Sequence, residues 1–177
     1  MYPVNIQMKG VSCLVIGGGH IALRKVRKLL SEGAEVTVLS PEICPELEQY
    51  FREKRIFWKK ALYRRGDAAG YPFVVTASGV KNVADEVHEE ALQRSFLYNA
   101  ADFPSLGNCS LPAAFETGGI HFAVSTDGRS PAMAKYVKNW LKEKIPPSFG
   151  AWLDRVAELR LELKKEVGES RVRENFW

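Results

Sequence analysis

Three consecutive glycines, Gly17-Gly18-Gly19, stand between a short apolar run, Val11-Ser12-Cys13-Leu14-Val15-Ile16, and a helical pattern opening His20-Ile21-Ala22. A strand, a glycine turn and a helix in that order can cradle a pyrophosphate. Gly17 permits the tight turn. Gly19 lets the backbone approach phosphate with no Cβ in the way, and Ala22 supplies the small residue that close helix–strand packing needs. The helix N-terminus, with His20 and Ile21, then offers free N–H groups to negative charge. A glycine pattern of this kind is generic by itself; here the residues on both sides fit it. Gly17, Gly18, Gly19, His20 and Ile21 are the first candidate cofactor-binding residues.

In an open parallel sheet a ligand lies at the carboxyl ends of the strands, so the residues after each predicted strand carry the next candidates. After Glu35–Leu39 come Ser40-Pro41-Glu42. Dinucleotide sites commonly place an acid here against the ribose 2′-hydroxyl; Ser40 and Glu42 can bond such a hydroxyl, and no basic residue is present for a 2′-phosphate. This favours NAD over NADP. After Phe73–Ala77 come Ser78 and Gly79, so Thr76, Ala77 and Ser78 combine small size with hydroxyls suited to a ribose; a plain capping turn is the alternative. After Phe96–Ala100 comes Ala101-Asp102, preceded by Asn99. A carboxylate there is either a turn former or a proton acceptor.

Other chemistries find little support. His20, His88 and His121 are far apart in sequence, and Cys13, Cys44 and Cys109 form no close pair. The spacing therefore predicts neither a disulfide framework nor a metal site. Cys13 reads as a small buried hydrophobe, and His88, beside Glu89 and Glu90, is expected on an exposed helix face. No Ser-His-Asp or Cys-His arrangement is evident.

The elements that must position these residues follow from periodicity. Strands are predicted at 11–16, 35–39, 55–59, 73–77 and 96–100. Helices are predicted at 21–32, with an Ile21, Val26, Leu29 and Leu30 stripe ended by Gly33; at 41–53, on Ile43, Leu47 and Phe51; and at 82–94, with Val83, Val87, Ala91 and Leu92 inward. Alternating strands and helices imply a parallel sheet with right-handed crossovers. The pattern then changes to two strands, 111–115 and 121–125, around Gly118-Gly119. A helix follows from Ser130-Pro131 to about Lys144, with Ser as N-cap and Pro at the first position. Pro146-Pro147 breaks it. A last helix from about Ser148 carries Phe149, Trp152, Leu153, Val156, Leu159 and Leu163, more apolar surface than a helix pair can bury, which predicts a subunit interface. The terminal Phe176-Trp177 suggests a shortened chain or a tail that packs on a partner.

Composition sets the outer bounds. The 177 residues are 46% hydrophobic and 26% charged, with a formal net charge of +4, ordinary for a globular protein. No apolar run reaches the length of a membrane span, and the N-terminus lacks a secretory leader pattern. With its odd cysteine count, the chain is expected in the reducing cytoplasm. Basic residues cluster at Arg24, Lys25, Arg27 and Lys28 and again between Lys54 and Arg65. They form either solvated faces or an attraction for an anionic ligand; without an aromatic-rich basic platform, nucleic acid is not expected.

Taken together, these segments resemble the precorrin-2 dehydrogenase family, the dehydrogenase/ferrochelatase module of siroheme synthases. The likeness rests on Val15–Lys25, Val36-Thr37-Val38, Asn99-Ala100-Ala101-Asp102 and Ala123-Val124-Ser125-Thr126-Asp127-Gly128-Arg129-Ser130-Pro131-Ala132-Met133-Ala134. Order and spacing agree from about residue 3 to residue 165. The resemblance implies an α/β fold: an N-terminal Rossmann-like domain over residues 1–112, a central dimerisation region over 113–146 and a helical C-terminal region over 147–177, joined as a homodimer. It implies NAD-dependent oxidation of precorrin-2 to sirohydrochlorin, and in some members insertion of Fe2+ into the product. It places the catalytic aspartate at Asp102 and substrate contacts at Asn99, Ser125, Thr126 and Arg129. Some relatives carry Ser where this chain has Thr126, so a hydroxyl is kept but a serine-specific modification is not. A carboxylate-rich tetrapyrrole would favour a basic cleft, with Arg24, Lys25 and Arg129 its first candidates. The rival readings are a non-catalytic NAD(H)-sensing regulatory module, which would not require Asp102 or the loop from Ser125 to Pro131, and a structural dimerisation protein, which would leave the intact glycine turn unused.

Overall fold

The computed structural model describes residues 2–166, apart from the side chains of Leu163 and Glu166. The expectations for Leu163 and for Phe176-Trp177 lie outside the described residues. The chain divides into two compact units, Met1–Leu111 and Pro112–Trp177.

The first unit is a five-stranded parallel sheet with helices on both faces. In chain order it contains β1 (Ser12–Ile16), α1 (His20–Ser31), β2 (Glu35–Leu39), α2 (Pro45–Arg52), β3 (Phe57–Lys59), β4 (Phe73–Thr76), α3 (Lys81–Arg94) and β5 (Leu97–Ala100). The strands lie in the order β3-β2-β1-β4-β5, a Rossmann-like sheet whose order reverses beside β1. Alternation along β1 splits its side chains between two cores. Cys13 and Val15 pack with Ala22, Leu23, Val26 and Leu29 of α1 and Leu47 of α2, while Leu14 and Ile16 pack with Val74, Tyr98 and Val87 and Ala91 of α3. Strands covered on both faces read as near-continuous apolar runs, which is why Cys-Leu-Val-Ile and Phe-Val-Val stand out in the sequence.

Several predicted boundaries shift, each for a local reason. The second helix begins at Pro45 rather than Pro41, because the Cys44 N–H donates to the Gly18 carbonyl at 2.8 Å and holds residues 41–44 outside the helix. β3 loses its first two residues because the Arg55 N–H is turned back onto the Tyr50 carbonyl at 2.9 Å. Gly33 does end the first helix, with φ +76°. Its N–H reaches the Leu30 carbonyl and the Ala34 N–H the Leu29 carbonyl, the Schellman pattern that glycine permits. Ile21 and Leu92, predicted inward, are exposed.

On the inner side of α3 the most unexpected residue is Glu90, 2% exposed. Its Oε1 accepts from the Gly66 N–H at 2.6 Å and from the Tyr63 hydroxyl, fastening the connection between β3 and β4 to the helix. His88 is half-buried rather than exposed, its Nδ1 bonded to the Leu106 carbonyl at 2.6 Å.

The second unit opens with a hairpin, β6 (Ala113–Thr117) and β7 (Ile120–Val124), paired antiparallel with Phe115 opposite Phe122. The two rings stack at 4.7 Å. Gly118 and Gly119 have φ +55° and +76°, the two-residue turn that matches strand twist. The helix α4 (Pro131–Lys144) packs on this hairpin; the Met133 N–H donates to Ser130 Oγ at 3.2 Å, as the Ser-Pro pair predicts. The last helix, α5 (Phe149–Glu166), approaches the hairpin turn through Gly150 and Gly118, where a Cβ on either would collide with the other's backbone.

Two predictions follow from this packing. Burial, then the Glu90 hydrogen bond, hold the Tyr63 phenol above its usual range, and burial does the same for Tyr98. A folded-state value above the unfolded one, about 10, means stability that is intact below that pH and lost as pH rises beyond it. Tyrosinate absorbance should therefore show Tyr63 and Tyr98 ionising at higher pH in the folded protein than in urea; a native-state titration that coincides with the one in urea would refute the packing. Separately, a Cβ on Gly18 would stand 1.9 Å from the Glu42 carbonyl oxygen, whereas one on Gly19 would meet nothing within 4 Å. Gly18→Ala should lower unfolding free energy by about 1–3 kcal/mol in urea titration, with Gly19→Ala close to the parent protein.

Candidate functional site

The parallel register brings four strand ends into one row, with Ile16 beside both Leu39 and Thr76, and Thr76 beside Ala100. Every segment singled out in the first unit leaves the sheet from this row. Gly17 leaves β1 with φ +123°, and a Cβ there would lie 2.3 Å from the Ala77 carbonyl oxygen. Gly18 is pressed in the same way against Glu42. The turn is thus clamped on one side by the segment after β4 and on the other by the segment after β2.

Gly19, at the N-cap of α1, makes no side-chain cap, and no acid stands in the first turn. The open space over Gly19 and the uncapped N-terminus at His20 and Ile21 fit a dinucleotide pyrophosphate, which brings its own negative charge. Flanking this turn, Ser40 is nearly buried, and its backbone is tied to β3: its N–H donates to the Lys59 carbonyl at 3.2 Å, and its carbonyl accepts from Trp58 Nε1 at 2.9 Å. Pro41 and Glu42 are exposed beside it.

The second strand end differs from its sequence reading in one residue. Thr76 is buried, and its hydroxyl bonds the Tyr98 hydroxyl at 2.9 Å, which in turn donates to the Ala84 carbonyl at 3.1 Å. Its hydroxyl therefore anchors α3 instead of facing a ribose. Ala77 is buried against Gly17, and Ser78 Oγ accepts from the Val80 N–H at 3.3 Å.

At the end of β5, Asp102 is half-buried, and its Oδ2 accepts from the Gly79 N–H at 2.7 Å. This bond joins the segments after β4 and β5 and fixes the carboxylate at the sheet's carboxyl edge. Asn99 is engaged at both ends of its amide: Oδ1 accepts from Lys25 Nζ at 3.2 Å, and Nδ2 donates to the Cys109 carbonyl at 3.1 Å. Lys25 reaches this position from α1, one and a half turns past the glycine turn. Burial lowers its ammonium below the usual range, as does Arg24, while Cys109 and Asp102 act in the opposite sense. Burial also pushes the Cys109 thiol up to about 11, so it is a thiol at neutral pH. Lys25 had a signal in the sequence, the basic cluster on the first helix, but its partner Asn99 lies 74 residues away and no local pattern links them.

In the second unit, Thr126 organises the turn before α4. Its Oγ1 accepts from the Ser130 N–H at 3.0 Å, and its carbonyl from the Arg129 N–H and Nε at 3.0 and 3.2 Å. Ser125 Oγ accepts from the Asp127 N–H at 3.1 Å. Ser125 and Arg129 are exposed.

Comparisons with known proteins bear on the whole length. An NAD(P)-binding family model matches residues 4–113. The precorrin-2 dehydrogenase of Bacillus subtilis is 31% identical over 160 residues, covering 90% of this chain and 98% of that protein. The precorrin-2 dehydrogenase of Priestia megaterium is 32% identical, covering 98% and 86%. The siroheme synthase of Thioalkalivibrio sulfidiphilus is 32% identical over 99% of this chain, which spans only 36% of that protein's length. A solved structure of SirC, a precorrin-2 dehydrogenase, superposes with a TM-score of 0.76 at 29% identity, covering 99% of this chain and 86% of that one. The matched family model, the relatives covered over most of their length and the shared fold agree: the chain belongs to the precorrin-2 dehydrogenase family.

Proposed function

We propose that this chain oxidises precorrin-2 to sirohydrochlorin with NAD+ in the synthesis of sirohaem. The observation that supports it most is Asp102, held by the Gly79 N–H in the same row of strand ends as the dinucleotide turn. Oxidation of the reduced tetrapyrrole removes a hydride and a proton. Bound NAD+ supplies the hydride acceptor. The Asp102 carboxylate takes the proton and returns it to water. The conjugation gained in the product provides driving force, so no longer acid–base relay is needed. Gly17 to Ile21 hold the pyrophosphate, Ser40, Pro41 and Glu42 the adenosine side, and Ala77 and Ser78 the nicotinamide side, with Thr76 positioning them from within.

Asn99, Ser125, Thr126 and Arg129 are the substrate contacts in this reading. Asn99 acts through Lys25, whose ammonium suits a carboxylate-rich macrocycle. We further read the second unit as a dimerisation region, residues 113–146, followed by a helical region from 147. The exposed Tyr136, Trp140 and Trp152 support a homodimer, as aromatic surface of this size favours burial. The free cysteines fit the reducing cytoplasm. Among the described residues no helix is long and apolar enough to cross a membrane.

The deciding assay is anaerobic, with precorrin-2 and NAD+, following NADH and sirohydrochlorin together; adding Fe2+ then reads insertion of iron as a substrate into the product. NADH in step with sirohydrochlorin is the expected result. Tight NAD+ binding without turnover would move the assignment to a sensing module. Asp102→Asn keeps an acceptor for the Gly79 N–H while removing the base, so turnover should fall by about 100-fold or more with NAD+ binding intact. Near-parental turnover would remove Asp102 from proton transfer. Gly19→Val places a branched side chain in the open space over the turn and should abolish NAD+ binding in calorimetry without unfolding the chain; unchanged affinity would displace the cofactor from this turn.

A further inference from the structure

The turn that holds the dinucleotide also gathers three potential metal ligands from two segments. His20 opens α1, Cys44 is the N-cap of α2, and Glu46 lies in that helix's first turn. One ring nitrogen of His20, Cys44 Sγ and a Glu46 carboxylate oxygen all lie within 4.8 Å of one another. Their approach is built into the backbone: the Cys44 N–H donates to the Gly18 carbonyl, and the close passage of Gly18 by Glu42 fixes the two segments together. The Cys44 side chain makes no cap hydrogen bond. Cys44 and Glu46 are half-buried, whereas His20 is exposed.

We propose that His20, Cys44 and Glu46 form a site for a divalent transition-metal ion, best matched by Zn2+, whose occupancy tightens dinucleotide binding. Mixed nitrogen, sulfur and oxygen donors suit a borderline-soft ion, and hard cations such as Mg2+ would avoid the sulfur. Tetrahedral zinc with these donors needs ligand atoms about 3.3–3.8 Å apart, a contraction that takes small rotations of the His20, Cys44 and Glu46 side chains together. Three protein ligands leave a fourth position for water. Binding replaces the thiol proton, which leaves to solvent. The ion brings two positive charges and the thiol becomes one negative charge, so the triad gains one positive charge beside the pyrophosphate turn. That change favours an anionic ligand at close range, and the coupling is reciprocal. The inference rests on dinucleotide binding at this turn and not on the tetrapyrrole chemistry.

The test uses the full chain without tetrapyrrole. Calorimetry with Zn2+ should give one site, and Co2+ should give a sulfur-to-cobalt charge-transfer band in the near ultraviolet. Cys44→Ser should abolish the band and weaken Zn2+ by about tenfold or more, while Cys109→Ser keeps both; circular dichroism checks that each variant is folded. Glu46→Gln should weaken Zn2+ while retaining the band. NAD+ affinity should rise about fivefold with Zn2+ in the parent protein and stay unchanged in Cys44→Ser. A band that survives Cys44→Ser, or no Zn2+ binding, overturns the site. NAD+ affinity that is unchanged or lower with Zn2+ overturns the coupling. NADH formation is not read, so failure here leaves the dehydrogenase assignment separately testable.

Discussion

Two backbone contacts that only glycine permits govern the rest of the structure. Gly17 lies against the Ala77 carbonyl and Gly18 against the Glu42 carbonyl, each closer than any Cβ would allow. The first sets the end of β1 against the end of β4, where the sheet reverses its order and a crevice opens. The second fixes the segment after β2 over the same turn. Without these contacts the row of strand ends would still exist, but the segments leaving it would not converge. Gly19 plays a different part: nothing crowds it, and its lack of a side chain leaves room for a ligand rather than for the protein.

The convergence is completed by polar groups, each with a defined partner. Asp102 receives the Gly79 N–H, and Asn99 bridges Lys25 to the Cys109 carbonyl. A carboxylate held by a backbone donor loses less conformational freedom on binding a ligand than a free one, which is the physical content of preorganisation. Thr76 and Tyr98 do the same service from beneath, tying α3 to β4 and β5 through buried hydroxyls that satisfy one another; buried hydroxyls without partners would cost about 1–3 kcal/mol each.

The sequence made the parallel sheet and the glycine turn readable because both depend on local patterns, apolar runs bounded by glycine and helical spacing. The Ser130-Pro131 helix start was equally local. What escaped it depends on pairs distant along the chain. The inward hydroxyl of Thr76 depends on Tyr98, and the burial of Glu90 on Gly66 and Tyr63. Gly18 reads as part of the cofactor turn, and its packing against the Glu42 carbonyl shows only in the fold. The gathering of His20, Cys44 and Glu46 is invisible for the same reason: the His-to-Cys spacing matches no ligand pattern, and the fold alone closes it. His88 looked exposed because its neighbours are charged, whereas its partner, the Leu106 carbonyl, lies in the segment after β5.

Helix α1 joins the two halves of the site. Its N-terminus opens directly from the glycine turn, and Lys25, on the same element, reaches Asn99 at the end of β5. On the proposed reading the cofactor and substrate sides share this positioning element, and Ala22, Leu23, Val26 and Leu29 pack it against the sheet. Lys25 is carried into a setting that disfavours its charge, through burial and through Arg24. An anionic ligand would reverse that penalty, because a negative group beside a desolvated ammonium restores the stabilisation that water had given. A substrate rich in carboxylates gains more from such a lysine than from a fully hydrated one, while a neutral molecule gains nothing. On the proposed reading, one helix thus favours negative charge on the substrate side through Lys25 and phosphate at its own N-terminus.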